Sequence, residues 1–472
     1  MTLYRQVAEN LAQDIRQGIY DEGDKVPSVR GLSKRLSVSI STVTQAYALL
    51  EDQGLIQSRP QSGYYVREGA NDHFIAPPVS KGGLPEEVTK VDLISKVLRS
   101  ASQPGLIKLG AAIPDISLLP FRGVQNHVQK VARFQGHEAF NYQFSPGLES
   151  LRQQIAKRMR HIKVRCHPDD IIITNGATEA IFLSLSSVCS AGDIIAVESP
   201  CYYGYLQMAQ RQGLKVIEIP TDPVQGMSLD ALQLALNQWP VKAICLTSRF
   251  SNPSGASISS NKQQAMMRLL QQFPDITVIE DDIYGELGFS GELNTTLKTF
   301  DTSNQVIYCS SYSKTVAAGL HVGWCIPGKF YQDIKEGQMF SSLSASSLCQ
   351  QVMSSYLEQG HYDKHLRKMV QSFKDNLDGF ANLIRMHFPE GTRLSVPTGS
   401  FILWLCLPAN VSALQLQALA EKESISIVPG DIFTTGNQFS NYIRLNCSLP
   451  RDERNKQAII RLGQLASQLA AA

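Results

Sequence analysis

Apolar side chains recur every three or four positions through the first fifty residues, which is the spacing of one face of a helix. This periodicity predicts three helices, over residues 2–18, over a short stretch after Pro27, and over residues 40–53. Their apolar faces consist of Tyr4, Val7, Leu11 and Ile15, of Val29, Leu32 and Leu36, and of Val43, Ala46, Tyr47 and Leu50. Strand-like runs at 55–59 and 63–66 then form a hairpin. This order of elements predicts a winged helix.

The rest of the chain alternates between short apolar runs and helix-like stretches. The strand-like runs lie at 170–174, 193–198, 215–219, 241–247, 276–281 and 304–310. Short strands that are apolar on both faces, with helices between them, indicate a largely parallel α/β sheet. After Gly328 the pattern predicts a smaller α+β lobe. Its elements are long helices at about 329–358 and 362–387, strands at 400–407 and 441–447, and a final helix at 451–471.

A segment rich in proline and glycine interrupts these periodicities near residues 67–90, and we interpret it as a linker. The expected organisation is a winged helix over 1–67, a linker over 68–90 and a body over 91–472. Within the body, the large lobe is expected at about 105–330 and the small lobe at about 331–472. The two parts are called the head and the body from here on.

Composition narrows the class of protein. A chain of 472 residues that is 43% hydrophobic and 18% charged is not disordered as a whole. The longest apolar run, 401–407, is far shorter than the ~18 residues of a membrane helix, and the polar N-terminus is unlike a signal peptide. Nine scattered cysteines without a CxxC spacing argue against a zinc site or disulfide framework. We expect a cytoplasmic protein with no metal and no membrane partner.

The head has an uneven charge distribution. Residues 25–67 carry six Lys or Arg against two acids, whereas residues 1–24 carry two against five. A local excess of positive charge favours a polyanionic partner. In a helix–turn–helix the start of the second helix enters the major groove of DNA, and the hydrogen-bonding side chains there are Ser39, Ser41, Thr42, Thr44 and Gln45. Gln45 can pair bidentately with adenine, while Arg30 and Arg59 suit phosphates. A three-helix protein-interaction module is the alternative.

The sequence of the head resembles the GntR-type winged helix over residues 2–67. The matching motifs are the VPSVRGL that contains Ser28 and Arg30, the SISTV at the start of the third helix, and LEDQGLI. The resemblance implies that Arg30 grips the DNA backbone and that Ser28 belongs to the same DNA-binding motif. The chain departs from the family at Ile40 and Thr44, where arginines are common. We therefore expect lower affinity or a longer, dimer-dependent site.

Polar motifs follow five of the predicted strands in the body. Lys314, in SYSK, can form an imine with a carbonyl cofactor, and Asp281, in EDDIY, can keep the ring nitrogen of pyridoxal 5'-phosphate protonated. Tyr284 and Asn252 can donate hydrogen bonds to the phenolic oxygen of that cofactor, and Tyr202 can stack on its ring. Gly176, Ala177 and Thr178 open a helix and form an anion seat for the phosphate. All five motifs fall at strand C-termini, where α/β sheets bind ligands.

Together these motifs resemble the fold-type-I pyridoxal phosphate enzymes, the aspartate aminotransferase family, over about residues 90–472. The resemblance implies that Tyr142 reaches the cofactor phosphate of the neighbouring subunit, so that the protein is a homodimer. It also implies that Ser311 and Ser313 contact the phosphate and that Arg444, in YIRLN, clamps a substrate carboxylate. A planar guanidinium suits that role because it can donate two parallel hydrogen bonds.

One position departs from this second family. The arginine that normally follows the lysine by seven positions and pairs with the phosphate is His321 here. Loss of a permanent charge should weaken cofactor binding by about 1–3 kcal/mol if nothing compensates. We therefore predict that His321→Arg tightens binding of pyridoxal phosphate.

A GntR-like head joined to an aminotransferase-like body resembles the MocR subfamily of transcriptional regulators. The leading hypothesis is a regulator that binds operator DNA as a dimer and senses an amino compound, such as an amino acid, through imine exchange at Lys314. A second hypothesis is an active pyridoxal phosphate-dependent aminotransferase with an accessory DNA-binding head, and residual transaminase activity is compatible with the first. A third is a repressor whose cofactor site has decayed, with His321 as the first sign.

Overall fold

The structure is a computed structural model, and it describes residues 3–16, 19–21, 23–59, 62–67, 75–101, 103, 105–134, 136–290 and 295–471. The chain divides into two compact units. One runs to Ile75 and includes Asp378–His387, and the other contains Ala76–Leu377 and the chain from Phe388 onward. Part of the linker predicted at 68–90, residues 68–74, lies outside the described residues.

The head contains the predicted three helices and hairpin. The elements are α1 (Leu3–Arg16), α2 (Val29–Leu36), α3 (Ile40–Asp52), β1 (Ile56–Arg59) and β2 (Gly63–Val66), the last two antiparallel. The positions predicted to face inward on α3 are all fully buried, namely Val43, Ala46, Tyr47 and Leu50. Residues 17 and 18 of the first predicted helix, and Pro60 and Gln61 of the hairpin turn, lie outside the described residues.

The body begins with elements that precede the first core strand. In chain order these are β3 (Glu86–Glu87), α4 (Val91–Ala101), β4 (Ile107–Lys108), α5 (Phe121–Phe134) and α6 (Glu149–Met159). The alternating part follows. Its elements are β5 (Ile172–Asn175), α7 (Gly176–Val188), β6 (Ile194–Ser199), α8 (Tyr203–Gln212), β7 (Lys215–Asp222), β8 (Gly226–Met227), α9 (Leu229–Gln238), β9 (Val241–Leu246), α10 (Ser260–Leu270), β10 (Thr277–Asp281), β11 (Val306–Ser311) and β12 (Val322–Ile326).

The main sheet has the strand order β3-β7-β6-β9-β10-β11-β12-β5. Strands β7, β6, β9, β10 and β11 are parallel to one another, which confirms the predicted α/β class. Strand β12, which the pattern did not predict, is antiparallel to both β11 and β5, so that β5 runs in the same direction as β11. The carboxyl ends of the five motif-bearing strands therefore lie at one edge of the sheet.

The smaller lobe differs from the prediction in one helix that is divided in two and in four elements that the pattern did not predict. The elements are α11 (Tyr331–Ser341), α12 (Ser347–Glu358), α13 (Tyr362–His387), β13 (Arg393–Ser395), β14 (Ile402–Cys406), α14 (Ala413–Lys422), β15 (Ile425–Ser426), β16 (Val428–Pro429), β17 (Tyr442–Asn446) and α15 (Glu453–Ala471). The four that the pattern did not predict are β13, α14, β15 and β16. The single helix predicted over 329–358 is wrong. Leu343 takes a left-handed φ of 66°, and the Ser346 hydroxyl caps a new helix by accepting a hydrogen bond from the Cys349 N–H.

Strands β13, β14, β17 and β16 form a second, antiparallel sheet. Arg444 lies on β17 opposite Trp404 of β14 and Val428 of β16, in the middle of that sheet. None of the helices that the structure describes is long and apolar enough to cross a membrane.

Candidate functional site

The start of α3 presents a row of polar side chains, but several of them are used internally. The Ser39 hydroxyl accepts a hydrogen bond from the Thr42 N–H at 3.1 Å and lies 2.8 Å from the Ser41 hydroxyl. The Thr44 hydroxyl donates to the Ile40 carbonyl at 3.0 Å. Gln45 is exposed and forms no hydrogen bond with any residue that the structure describes. Of the predicted base-contacting side chains, Gln45 is therefore the best placed to meet a base edge.

The predicted phosphate contacts of the head lie on α2 and the hairpin. Ser28 caps α2 by accepting a hydrogen bond from the Gly31 N–H at 3.1 Å, and Arg30 is exposed on its first turn. The Arg59 guanidinium stacks over the Tyr65 ring, with 4.4 Å between its central carbon and the ring centroid. This contact orients Arg59 while its donors stay available.

In the body, a cavity of about 410 Å³ opens at the carboxyl ends of the parallel strands. The sequence-predicted residues that line it are Gly176, Ala177, Thr178, Tyr202, Asn252, Asp281, Tyr284, Ser311, Ser313, Lys314, His321 and Arg444. The structure therefore brings together residues at the ends of five strands of the main sheet and one residue, Arg444, of β17. Ligands of α/β sheets bind at this edge.

Lys314 lies in the cavity on the connection that follows β11. Its Nζ donates a hydrogen bond to the Ala112 carbonyl at 2.8 Å, and it forms no ion pair with any described residue. Burial lowers the pKa of Lys314 to about 8, helped by the positive charge of Arg444 and opposed by Asp281. Roughly a tenth of the amine is therefore unprotonated at pH 7, far more than for an ordinary lysine, and the unprotonated form is the nucleophile.

Asp281 ends β10 and faces the same cavity. Burial raises the pKa of its carboxyl to about 7, and a hydrogen bond from the Ile283 N–H opposes that change. Its neighbour Asp282 is held differently. Asp282 accepts from the Arg249 Nε at 2.9 Å and from the Tyr308 hydroxyl at 2.6 Å, and both partners are buried. Sequence reasoning missed Arg249 and Tyr308, because only the folded sheet places them beside Asp282.

The turn at Gly176 is tightly packed against His321. Gly176 has a left-handed φ of 70°, and a Cβ at this position would lie only 2.7 Å from the His321 Nε2. Gly323 of β12 is equally constrained, since its Cβ would collide with the Gly176 backbone. The Ser311 hydroxyl accepts from the Ser313 N–H at 3.3 Å. The N-terminus of α7, the two serines and the imidazole thus line one end of the cavity with donors, which suits an anion.

Arg444 also lines the cavity and is only 2% exposed. Its guanidinium donates to the Asn252 Oδ1 at 2.8 Å and to the Gly110 carbonyl at 2.6 Å, and lies 5.1 Å from the Phe433 ring centroid. Arg444 forms no ion pair within the part of the chain described, and burial lowers its pKa. A buried guanidinium held only by neutral acceptors is suited to bind a carboxylate.

Two aromatic residues of the predicted set line the cavity as well. Burial raises the pKa of both Tyr202 and Tyr284 above the ordinary value, so both hydroxyls stay protonated. The Tyr202 ring packs directly on Gly204, where any larger residue would collide with it. The Tyr203 ring lies beside it, with 4.8 Å between the ring centroids. A ring held in this way can serve as a stacking surface.

Tyr142 does not enter the cavity of its own chain. It is 66% exposed and stacks on Phe144, with 5.6 Å between the ring centroids. The resemblance assigned Tyr142 to the site of a second subunit, so this position leaves that prediction open.

The residues around the cavity fit pyridoxal phosphate. This group needs a buried lysine that forms no ion pair with a carboxylate and an aspartate at a strand end. It also needs an anion seat, and here a glycine at position 176 keeps that seat free because a Cβ would collide with His321. The winged helix and this cavity together define a DNA-binding head fused to an aminotransferase-like body.

Comparisons with known proteins agree with that definition. The family model of class I and II aminotransferases matches residues 106–462, and the model of bacterial regulatory proteins of the gntR family matches residues 3–66. The chain is 37% identical to the uncharacterized HTH-type transcriptional regulator YjiR of Escherichia coli (strain K12) over 98% of both chains. It is 36% identical to the uncharacterized HTH-type regulator YdcR of the same strain, over 99% of this chain and 100% of YdcR.

A solved structure resembles the body. Kynurenine aminotransferase from Pyrococcus horikoshii is 25% identical with a TM-score of 0.74, and the match covers 80% of this chain and 96% of that chain. The protein belongs to the MocR-like GntR-type transcriptional regulators, in which a helix–turn–helix head is joined to an aminotransferase-like domain. Its gntR-type head implies DNA binding, and its body implies a pyridoxal phosphate cofactor.

Proposed function

We propose that this regulator binds pyridoxal phosphate in the body and senses an amino compound that carries a carboxylate, with the head bound to operator DNA. One observation supports this most strongly. Two buried cations, Lys314 and Arg444, share one cavity, and neither has a carboxylate partner among the described residues. A ligand with a carboxylate for Arg444 and an amine that can take the place of the Lys314 amine on the cofactor would use both residues.

The residues that would hold the cofactor fall into three groups. Gly176, Ala177 and Thr178, with Ser311, Ser313, His321 and the partner subunit's Tyr142, would bind the phosphate. Asp281 would pair with the ring nitrogen, while Asn252 and Tyr284 would donate to the phenolic oxygen and Tyr202 would stack on the ring. When bound, pyridoxal phosphate supplies an aldehyde that bonds covalently to a primary amine and a pyridinium ring that withdraws electrons.

Lys314 controls that covalent bond through its proton. With a pKa of about 8 its nitrogen is partly unprotonated at neutral pH, and the Ala112 carbonyl fixes the position of Nζ. The effector amine would replace the lysine amine at the same carbon. Lys314 would then be free to take up a proton, which changes the charge inside the cavity. A change of this kind can shift the balance between two conformations when they are close in energy.

Arg444 would select effectors by their carboxylate. Asn252 and Gly110 keep the guanidinium in place. The N–H groups that these two contacts do not use can form a bidentate contact with a carboxylate. An α-amino acid carries its amine and its carboxylate on the same carbon, so it is the simplest effector whose amine could replace that of Lys314 while its carboxylate contacts Arg444. A regulator that senses the cofactor alone would not need Arg444.

A working aminotransferase is the second candidate function. The same cavity holds a lysine, a ring-nitrogen aspartate and a carboxylate-binding arginine, the set that transamination uses. Sustained conversion of an amino donor and a keto acid would favour this function over sensing.

The proposal includes a homodimer. Large hydrophobic side chains are exposed on α5, on the segment that follows it and on α11, namely Phe121, Phe140, Tyr142, Phe144 and Phe340. Exposed apolar surface of this extent typically marks an interface. In the dimer, Tyr142 of one subunit would reach the cofactor of the other.

The deciding experiment is a spectral titration of the purified protein with pyridoxal phosphate and then with single amino acids. We expect a visible absorbance band that Lys314→Ala abolishes and that Lys242→Ala, which removes an exposed lysine elsewhere in the body, leaves intact. An amino acid that shifts the band without turnover would support a sensor. Absence of the band at every cofactor concentration would contradict the proposal, although DNA binding by the head would stand.

A further inference from the structure

A second concentration of positive charge lies on the body, outside the cofactor cavity. Residues 157–167, KRMRHIKVRCH, contain five Lys or Arg and two His and no acidic residue. All of these charged or titratable side chains except Arg158 are exposed, whereas Met159 and Val164 are buried. The segment therefore holds a row of cations at the surface while its apolar side chains anchor it to the core.

Only some of these cations have partners. Arg158 is paired with Glu286 and with Asp363, the latter at 2.9 Å, and His167 lies 3.3 Å from Asp169. Arg160, Lys163 and Arg165 form no ion pair with any residue in the described ranges. These three side chains surround a shallow surface depression, together with Cys166, His167 and Asp170. We call Arg160, Lys163 and Arg165 the basic face.

The backbone that carries the basic face is well defined. After α6 the chain makes a single 3₁₀ turn, Arg160–Ile162, which Lys163 ends in a left-handed conformation with φ 61°. The Lys163 and Val164 N–H groups donate to the Arg160 and Met159 carbonyls, each at 3.0 Å. The three cations are thus held near one another before any partner arrives, and Asp170 is the one carboxylate among the described residues that line the depression.

A purely structural role explains only part of this arrangement. Cations near the C-terminus of a helix interact favourably with the helix dipole, and Arg160 lies there at the end of α6. The effect falls off within the last turn, so it does not reach Arg165. The net charge of the whole chain is only +2, and a generally basic surface does not explain the cluster either. A partner with several closely spaced negative charges would.

We propose that the basic face binds the phosphate backbone of the DNA that the head occupies, as a second contact that does not depend on base sequence. DNA is the favoured polyanion because the gntR-type head of the same chain implies DNA binding. Once a head is bound, the linked body stays close to the duplex, and even a weak contact is then populated through its effective concentration. The regulator would therefore protect DNA beyond the segments that its heads contact.

The test is the salt dependence of DNA binding by the full-length protein. The probe is a fluorescein-labelled 60-base-pair duplex of mixed sequence, and its dissociation constant is measured by anisotropy between 50 and 200 mM KCl. The test variant is Arg160→Gln/Lys163→Gln/Arg165→Gln. The matched control is Arg211→Gln/Lys215→Gln/Lys242→Gln, which removes three exposed cations elsewhere on the body.

Each phosphate contact contributes about 0.9 to the slope of log affinity against log salt, so losing three contacts should lower the slope by roughly 2.7 per bound copy. We expect the test variant to show this smaller slope and about tenfold or more weaker binding at 100 mM KCl. The control should match the wild type. A wild-type slope in the test variant, or an equal fall in the control, would overturn the proposal.

A 20-base-pair duplex separates this contact from that of the head. The short duplex leaves little room beyond one head, so the test variant should bind it nearly as well as the wild type does. Arg30→Gln, which alters the head, should weaken binding to both lengths. Melting temperature and cofactor absorbance serve as folding controls. Loss of binding to the short duplex by the test variant would show a general defect and would count against the basic face.

Discussion

At the scale of single residues, the cavity combines buried cations with neutral partners. Lys314 donates to a carbonyl and Arg444 to a carbonyl and an amide oxygen. Desolvation without a carboxylate lowers the pKa of both groups. The positive charges of the two side chains are therefore unfavourable in the folded chain. A ligand that carries a phosphate, a carboxylate and an exchangeable amine would stabilise them.

The first prediction follows from the pKa of Lys314. Without cofactor, the wild type should gain stability relative to Lys314→Met as the pH rises from about 8, the pKa of Lys314 in the folded protein, to 10.5, the ordinary pKa of a lysine. In that range the unfolded lysine binds a proton that the folded lysine does not, so the free energy of unfolding rises with pH. The gain should reach about 3 kcal/mol. Urea unfolding at each pH measures it.

Below pH 8 both states bind the proton, and the difference between the two proteins should become constant. Lys242→Met, which replaces an exposed lysine elsewhere in the body, is the matched control variant. A wild type and a Lys314→Met variant whose stabilities run parallel from pH 7 to pH 10.5 would exclude the lowered pKa.

The second prediction concerns His321, which packs against Gly176 at the anion-binding end of the cavity. His321→Arg should lower the dissociation constant for pyridoxal phosphate by about tenfold, because a permanent charge with a planar fork replaces a side chain that needs a second proton to become cationic. Equilibrium titration by absorbance measures the constant. The exposed His361→Arg is the control. Equal constants for the wild type and His321→Arg would show that the imidazole already compensates.

At the scale of elements, the strands that carry the motifs are stabilised by a buried network that the sequence did not reveal. Asp282 at the end of β10 binds Arg249 after β9 and Tyr308 of β11. This network joins three adjacent strands directly beside Asp281. It therefore fixes the strand ends from which the cavity residues project.

The third prediction tests this network. Arg249→Met should destabilise the body by about 3–5 kcal/mol, because it leaves the Asp282 carboxylate buried without its cation. Arg268→Met, on the exposed side of α10, should change the stability by less than about 0.5 kcal/mol. Urea unfolding followed by circular dichroism measures both. A loss below 1 kcal/mol for Arg249→Met would contradict this role of the Arg249–Asp282 pair.

The element order was predictable because apolar periodicity distinguishes short buried strands from amphipathic helices. Several elements were not predicted, and two cases show why. A short connection that contains the SYSK motif separates strand β12 from β11. The local sequence gives no sign that β12 is a strand antiparallel to β11. The break between α11 and α12 falls in SSLSASS, which has no proline or glycine, and Leu343 adopts the left-handed conformation instead.

The site residues show the same division. Motifs at strand ends were predictable because parallel strands bring their carboxyl ends to one edge. The sequence did not predict the roles of Gly323, Arg249 and the Ala112 carbonyl. Each of them acts through a contact that depends on how separate strands and loops pack. A single sequence carries no local signal for a backbone carbonyl that meets a lysine 202 positions away.

At the scale of the whole molecule, exposed aromatic surface is the main indication of assembly. Phe340 on α11 is 87% exposed, and Tyr142 and Phe144 stack on each other at the surface. These side chains would be covered in the proposed dimer, which would also complete each cofactor site with Tyr142.

The fourth prediction follows from that surface. Phe340→Asp should shift the protein from dimer to monomer at micromolar concentration and weaken cofactor binding at the same time, because a charge is costly in an apolar interface. Light scattering after gel filtration measures the mass. Leu234→Asp, at an exposed leucine of α9, should leave the dimer intact. A Phe340→Asp dimer with normal cofactor affinity would place the interface elsewhere.

The connection between β11 and β12 carries both Lys314 and His321, and β12 in turn packs through Gly323 against the anion seat at Gly176. The side chains proposed to form the covalent bond and to face the phosphate therefore belong to one hairpin and depend on its length and register. An insertion or deletion there would displace both groups together. A change in cofactor affinity that leaves this geometry intact would therefore have to come from a side-chain substitution at a fixed position, such as 321.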